Sequence, residues 1–156
     1  MDGYLKAGDT ISGQEGRAQI NINGQIQDLF MLKTYEATME KNKAEVKTIG
    51  HRGTQSKTTG WSGTGSMTLH YVSSLFRKLA IDYIKTGKDF YFDIIVTNDD
   101  PSSSVGKQTM AFYNCNIDSV ILAKLDLDSD ALDEDLDFTF DDVDILDQFK
   151  KPAYLK

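Results

Sequence analysis

The sequence has little of what would point to a secreted, metal-binding or membrane-spanning protein. Its 156 residues include one cysteine and two histidines, and neither histidine has a Cys or His partner at zinc-ligand spacing. A single cysteine excludes a disulfide within the chain and fits synthesis in a reducing cytoplasm. No apolar run approaches the ~20 residues of a membrane-spanning helix. The N-terminus has neither the basic start nor the apolar stretch of a signal peptide, so we expect neither kind of segment.

Basic residues are absent from one long stretch. Between Asp126 and Asp147 there are eleven acidic residues and no lysine or arginine. The net charge is −7 overall, with −8 on residues 126–156 and +1 on residues 1–125. Affinity for phosphate comes from Lys and Arg, so a chain with this balance is a poor general binder of nucleic acid.

Residue patterns typical of catalysis or cofactor binding are also missing. The acidic run at residues 126–134 lacks the central glycine and terminal spacing of a calcium loop, and a solvated acidic turn is favoured. The glycines of residues 60–65 lack the phosphate-binding pattern and precede a strand. No Ser–His–acid arrangement is identifiable. Cys115 is predicted to be a small buried side chain in a strand. We therefore predict no enzyme, no cofactor and no metal.

What the sequence does contain is strand periodicity. Residues 17–23 alternate and lead into Asn23-Gly24, the strongest short hairpin signal. Residues 134–144 alternate as well, with Leu136, Phe138 and Phe140 on one face and acids on the other. Further strands are predicted at residues 25–39, 44–50, 66–72, 90–96, 108–114 and 116–127, the last two being separate strands or one long bent strand.

One helix interrupts these strands. Residues 74–86 carry apolar side chains at helical spacing, with Ser73 or Ser74 as N-cap and Gly87 at the C-terminal end. A single short helix must pack against a sheet. The sequence therefore predicts one mainly β domain over residues 1–156, a β-barrel or sandwich of roughly seven to nine strands with one packed α-helix at about residues 74–86.

Two segments are expected to extend from this domain. Residues 1–16 are polar and glycine-containing and form a flexible N-terminal arm, or one that a partner orders. Residues 41–59 form a basic hairpin or loop with one acid, Glu45. It is either a solvated loop or a hairpin that protrudes to a neighbouring subunit. The candidate inter-subunit residues are Lys41, Lys43, Lys47, Arg52, Lys57 and Trp61. Trp61 is either a subunit contact or a local lid over the core.

Several short blocks carry a family resemblance when they are read in order. They are TISGQEGR at residues 10–17, EKNKAEV at 40–46, KTTG at 57–60 with GTG at 63–65, and FTFDD at 138–142. Over residues 10–145 the chain resembles the tail tube proteins of contractile phage tails, the type found in defective Bacillus prophages and phage-tail-like bacteriocins. Trp61 is not part of this resemblance.

The resemblance implies a structural role without catalysis. Members form hexameric rings that stack into a hollow tube inside a contractile sheath, and their inner sheets join into one barrel around the lumen. The fold is also similar to the tube protein of type VI secretion systems. The implied partners are further copies of the chain, the sheath, baseplate and tail terminator proteins, with DNA only in passage if the particle is a phage, and no membrane. The implied location is a virion tail or phage-tail-like particle assembled in the bacterial cytoplasm.

The acidic strand face has two interpretations within this family. Asp135, Asp137 and Asp141 line the lumen, where a negative wall does not retain DNA phosphates, or they face a basic sheath. The sequence leaves both open. The competing function is that of a monomeric β-barrel that binds a small ligand.

Overall fold

The computed structural model describes residues 5–151, and this part of the chain is mainly β with eight strands and one α-helix. The strands are β1 (Gly16–Ile22), β2 (Gln25–Asp28), β3 (Leu32–Val46), β4 (Gln55–His70), β5 (Phe92–Asp99), β6 (Lys107–Ile117), β7 (Asp133–Phe140) and β8 (Asp142–Asp147), and α1 is Leu75–Thr86. The predicted fold class is confirmed. Residues 1–4 of the predicted arm lie outside the described residues.

The strands form two layers that share a corner. All ladders are antiparallel in the order β2-β1-β5-β6-β7-β4-β3, and β8 pairs with β6. β6 pairs with β8 over residues 109–113 and with β7 at residues 116–117, so it passes from one layer to the other. The end strands β2 and β3 do not pair. The sheet is therefore not closed into a barrel, and the sandwich alternative describes the chain.

Both layers contribute to one aromatic core. The rings of Phe112 and Phe140 lie 5.0 Å apart in an edge-on arrangement, and Tyr35 packs against Phe112 and Phe138. The large side chains that are almost completely buried in this core are Ile20, Ile94, Met67, Leu69, Leu136 and Phe138. Burying each such side chain stabilises the fold by about 1.5–3 kcal/mol. This core holds the two layers together face to face.

The predicted hairpin turn at Asn23-Gly24 and the predicted buried face of β7 are both confirmed. Asn23 and Gly24 have φ values of 53° and 83°, the two positive values that a two-residue turn of this kind requires. In β7, Leu136, Phe138 and Phe140 are buried and alternate with exposed residues. Strict alternation identifies the buried face because successive strand residues point to opposite sides of the sheet.

β4 runs without interruption through the glycine-rich stretch that was predicted as a strand entry. Gly63 pairs with Phe140 and Gly65 with Phe138. A Cβ atom would lie 2.4 Å from the Phe140 ring at Gly63 and 2.3 Å from the Phe138 ring at Gly65. Only glycine therefore lets the two rings lie against the β4 backbone. The predicted boundary at residue 66 was wrong because Gly63 and Gly65 belong to the strand and make room for the two rings. The β3–β4 ladder shifts register only beside Gly60 within this stretch.

α1 is anchored to the sheet mainly through its first turns. Phe76 is buried against Phe92, with ring centroids 5.9 Å apart. Arg77 donates to Glu134 of β7 at 2.7 Å, and its guanidinium lies 4.3 Å from the Tyr71 ring centroid. The Glu134 side chain is buried and that of Arg77 is 12% exposed. Gly87, with φ of 74°, ends the helix. The second half of the predicted apolar stripe is exposed, including Ile84. Among the described residues, no helix is long and apolar enough to cross a membrane.

Candidate functional site

One face of the β3–β4–β7 layer is polar from edge to edge. Ser66 of β4 pairs with Glu36 on one side and with Asp137 on the other. Side chains opposite each other across antiparallel strands point to the same face, so small hydroxyls lie between two rows that contain carboxylates. We call this surface the polar face. Its members are Thr34, Glu36, Thr38 and Glu40 of β3, Ser62, Thr64, Ser66 and Thr68 of β4, and Asp135, Asp137 and Thr139 of β7.

The polar face is negatively charged and carries no lysine or arginine among these members. A shallow depression of about 400 Å³ lies on it, with Glu36, Asp118 and Asp137 among its lining residues. Asp135 accepts a 2.7 Å hydrogen bond from Thr68 Oγ1. Like charges this close destabilise a sheet slightly, and water lowers that cost. The surface is suited to facing water and repelling anions.

Asp141, the third acidic candidate, lies elsewhere. It occupies the turn between β7 and β8, where its carboxylate accepts hydrogen bonds from Asn114 Nδ2 at 3.1 and 3.3 Å. Asn114 has a positive φ of 53° and lies where β6 bends from one layer to the other. The structure thus brings Asp135 and Asp137 together on the polar face and places Asp141 at the corner of the sandwich.

One end of the polar face carries an ion-paired cluster. Lys33 Nζ donates to Asp133 at 2.9 Å, and His70 Nδ1 lies 3.4 Å from the other carboxylate oxygen. The hydrogen bond from Lys33, assisted by its charge and that of His70, lowers the pKa of the Asp133 carboxyl. The cluster fixes the start of β7 against β3 and β4.

The basic candidates lie on a hairpin that continues past the rest of the sheet. β7 pairs with β4 only from Gly63 onward, so the part of the β3–β4 ladder beyond it has no other strand beside it in the described chain. Lys41, Lys43 and Lys57 are on the paired strands, and Lys47 and Arg52 are on the connection between them. All five are exposed, and none makes an ion pair within residues 5–151.

Trp61 lies at the base of this hairpin. It is opposite Lys41 in the ladder, and its ring centroid is 6.1 Å from that of Phe140. It covers the end of the aromatic core and is still 41% exposed. Both predicted roles of Trp61 therefore remain geometrically available, and its role as a subunit contact stays a prediction.

The layer that carries the polar face has open edges. β3 is its end strand, and from Lys33 to Val46 its outer edge pairs with no strand in the described chain. Along this edge the groove between the two layers is open, with a volume of about 1160 Å³. Its lining includes Phe30, Tyr35, Ala37, Met110 and Phe112, and Phe30 is 84% exposed. This groove could not be predicted from the sequence, since it depends on which strands face each other.

The described residues do not bring together side chains that could form a catalytic or metal-binding site. His51 is exposed, and no group of His, Cys, Asp or Glu within residues 5–151 could hold a metal. Cys115 is fully buried, as predicted, and burial raises the pKa of its thiol to about 12. The thiolate, which is the reactive form, is therefore scarce near neutral pH.

Comparison with known sequences gives a consistent set of matches. A family model described as "Phage tail tube protein" matches residues 3–147. The uncharacterized protein YqbM of Bacillus subtilis (strain 168) is 45% identical over 146 residues, covering 94% of this chain and 97% of the relative. The phage-like element PBSX protein XkdM of the same organism is 46% identical over 141 residues, covering 90% and 93%.

Comparison with solved structures gives the same fold. A chain of the anti-feeding prophage cap, described as a tube-terminating cap, matches with a TM-score of 0.66 and 11% identity, covering 93% of this chain and 95% of that one. A chain of the PVC sheath–tube complex, an extracellular contractile injection system, matches with a TM-score of 0.61 and 13% identity, covering 87% and 90%.

Proposed function

Because this chain belongs to the phage tail tube protein family, we propose that its copies form hexameric rings that stack into the hollow inner tube of a contractile phage tail or phage-tail-like particle. Family membership makes the chain a structural tail tube protein and not an enzyme. The main structural support for a ring is the β3–β4–β7 layer, which has a long edge unpaired in the described chain and an all-polar face.

An unpaired edge of this length needs a partner. Every second residue of an edge strand presents its N–H and C=O groups outward, which favours pairing with another chain. The β3 edge extends over most of a 15-residue strand. Head-to-tail pairing of such layers around an axis would close a barrel that one chain leaves open, and it would remove the exposed edges.

We assign the polar face to the lumen. The opposite face of the layer is covered by the core, by the second layer and, beside it, by α1. Stacked sheets are about 10 Å apart, so the covered side needs the larger circumference in a ring. The thin polar side then lies inward. A wall of Glu36, Asp135 and Asp137 would repel the phosphates of DNA in passage and so would not hold it.

The basic hairpin suits contact between rings. It extends past the sheet, and its five basic side chains make no ion pair with the described residues 5–151. The residues from 126 to 147 carry only acids among their charged residues. Opposite charges on successive copies would guide stacking and fix its register. The N-terminal arm would gain contacts with a neighbouring copy on the same event. Its described part is tied to the β5–β6 loop through Ser12 N–H to Asp100 and Ser104 N–H to Gly8.

The proposal for partners other than copies of this chain rests on the particles in which similar folds are found. Solved structures with this fold come from a sheath–tube complex and a tube-terminating cap. We propose a sheath, a baseplate and a terminator as partners here, with assembly in the bacterial cytoplasm. A small-ligand role has less support, because the groove is open along β3 and is not enclosed.

Negative-stain electron microscopy of the purified full chain, with light scattering for its mass, tests this function. Rings or stacked tubes are the expected result. A chain that stays monomeric at high concentration, both alone and with a baseplate added as template, would contradict it.

Charge variants then test the two surfaces. Reversal of Lys41, Lys43 and Lys47 to Glu should prevent stacking, whereas reversal of the exposed helix-end lysines Lys85 and Lys88 should not. Normal polymerisation of the triple variant would remove the bridging role. Replacing Asp135 and Asp137, the two acidic candidates that lie on the polar face, by Asn should leave tubes intact and change ion or DNA passage. Loss of sheath attachment by that variant would instead place the acidic face outside.

A further inference from the structure

Residues 118–132 have the composition of a strand and yet are irregular in the single chain. Residues 119–127, SVILAKLDL, were predicted as part of a strand, but β6 ends at Ile117. Leu125 and Leu127 are 99% and 100% exposed. Alternating leucines and aspartates that are open to water carry an unused strand pattern. Such a pattern indicates a partner that the isolated chain lacks.

The segment already lies along the free edge of β7. Asp118 donates its backbone N–H to Asp137 O at 2.9 Å, directly after the ladder that pairs residues 116–117 with residues 138–139. Further along, Lys124 Nζ donates to Asp133 O at 2.8 Å. The segment is therefore positioned as a fourth strand of the β3–β4–β7 layer, although no ladder holds it there beyond residue 117.

We propose that residues 119–127 of one copy become a strand that pairs with the unpaired edge of β3 in the neighbouring copy, with Leu125 and Leu127 covering that copy's open groove. This inference rests on the proposed ring and names the contact that closes it.

Strand direction fits this contact. β3, β4, β7 and the segment alternate in direction, since each neighbour runs antiparallel to the last. Rotation about a ring axis preserves strand direction along that axis. The segment therefore meets the next copy's β3 in antiparallel orientation. Because Asp118 directs its N–H toward β7, the backbone groups of residues 119, 121, 123 and 125 would face the neighbour when the segment is extended.

The side chains fit as well. Ile117 pairs with Phe138, whose ring is in the core, so odd residues of the extended segment point to the core side. Those residues include Ile121, Leu125 and Leu127. On the same side of β3 lie Tyr35 and Ala37, which line the open groove. Leu125 and Leu127 would therefore meet the side of β3 that carries Tyr35 and Ala37. The even residues would turn to the side of the polar face; they are Val120, which packs against the core in the single chain, and Leu122, Lys124 and Asp126.

A double variant, Leu125→Ser with Leu127→Ser, tests the contact in the full chain. Both side chains are exposed, so circular dichroism and thermal unfolding of the unassembled chain should match the unchanged protein. Rings and tubes should be lost. The matched control is Val72→Ser with Ile84→Ser, which removes two other apolar side chains that are 69% and 61% exposed and should assemble normally.

Hydrogen–deuterium exchange adds an independent readout on the unchanged chain. Amides of residues 119–127 and of the β3 edge should exchange rapidly in the unassembled chain and become protected together in tubes. Protection of only one of the two segments would overturn the pairing.

The two proposals fail in different ways. Tubes formed by the leucine double variant would overturn this inference and leave the proposed function intact. An unchanged chain that forms no rings or tubes would overturn the proposed function and this inference with it. A double variant that still makes tubes but no longer binds a sheath would assign the leucines to the sheath instead, which also overturns the pairing.

Discussion

Replacing Gly65 by alanine should destabilise the fold, because this residue lies directly beneath a buried ring. A Cβ atom at Gly65 would be 2.3 Å from Cζ of Phe138 and 2.8 Å from Cε1 and Cε2. Non-bonded carbon atoms settle near 3.5–4.0 Å apart, so about 1 Å or more of movement is required. Phe138 is fully buried and packs on Tyr35, so its ring has no free space to enter.

Two opposing contributions set the change in the free energy of unfolding that Gly65→Ala causes. Overpacking of a core costs about 1–3 kcal/mol. Replacing glycine also reduces the entropy of the unfolded chain, which favours alanine by about 0.4–1 kcal/mol. The free energy of unfolding should therefore fall by about 1–2 kcal/mol, and the Tm of a chain of this size by about 2–8 °C.

Thermal and urea unfolding followed by circular dichroism measure this change. All variants must be compared in the same oligomeric state, because assembly raises apparent stability. The control is Gly60→Ala on the same strand, where the nearest atom to a new Cβ is Asn42 Nδ2 at 3.9 Å. It should be neutral or stabilising by up to about 1 kcal/mol. Combining Gly65→Ala with Phe138→Leu should cost less than the sum of the two single changes. A Gly65→Ala chain as stable as Gly60→Ala would refute the packing argument.

Three further changes test other parts of the structure. Arg77→Met should lower the free energy of unfolding by about 3–5 kcal/mol in urea, because it leaves Glu134 buried without a partner, and adding Glu134→Leu should recover most of the loss. Burial raises the pKa of the Cys115 thiol to about 12, so a thiol reagent at pH 8 should modify only unfolded chains. The unfolded thiol titrates near pH 8.5, so part of the stability should decline as pH rises above that value, and Cys115→Ala should lack this part. The hydrogen bond from Lys33 lowers the pKa of Asp133, so its stabilisation is present above about pH 3.9 and is lost as pH falls through the lowered pKa. Carbon-detected NMR should show that pKa rising in Lys33→Met.

The features that sequence predicted correctly are those that neighbouring residues decide. Asn23-Gly24 specifies its turn through backbone conformation alone. The buried face of β7 follows from strict alternation of Leu136, Phe138 and Phe140 with polar residues. The family was also predicted correctly, because the short sequence segments that resemble it occur in order over most of the chain.

The features that sequence missed depend on partners far along the chain. The role of Gly63 and Gly65 requires knowing that β7 places its phenylalanines opposite them. Asp141 continues the alternation of Asp135 and Asp137 in the sequence, but β7 ends at Phe140, so Asp141 lies in the turn at the corner, where Asn114 donates to it. Residues 119–127 have a strand pattern and no strand, because the edge they suit is not within the same described chain.

The charge distribution restricts how copies of this chain can meet. Two polar faces brought together would oppose Glu36, Asp135 and Asp137 to the same carboxylates, and the repulsion would disfavour that contact. The hairpins carry Lys41 and Lys43, so hairpin-to-hairpin contact is disfavoured in the same way. Edge pairing around a ring and basic-to-acidic contact between rings avoid both penalties. A long open edge is otherwise an aggregation hazard. The like charges on each surface therefore favour heterologous contacts, which are the ones that a closed ring and a stacked tube require.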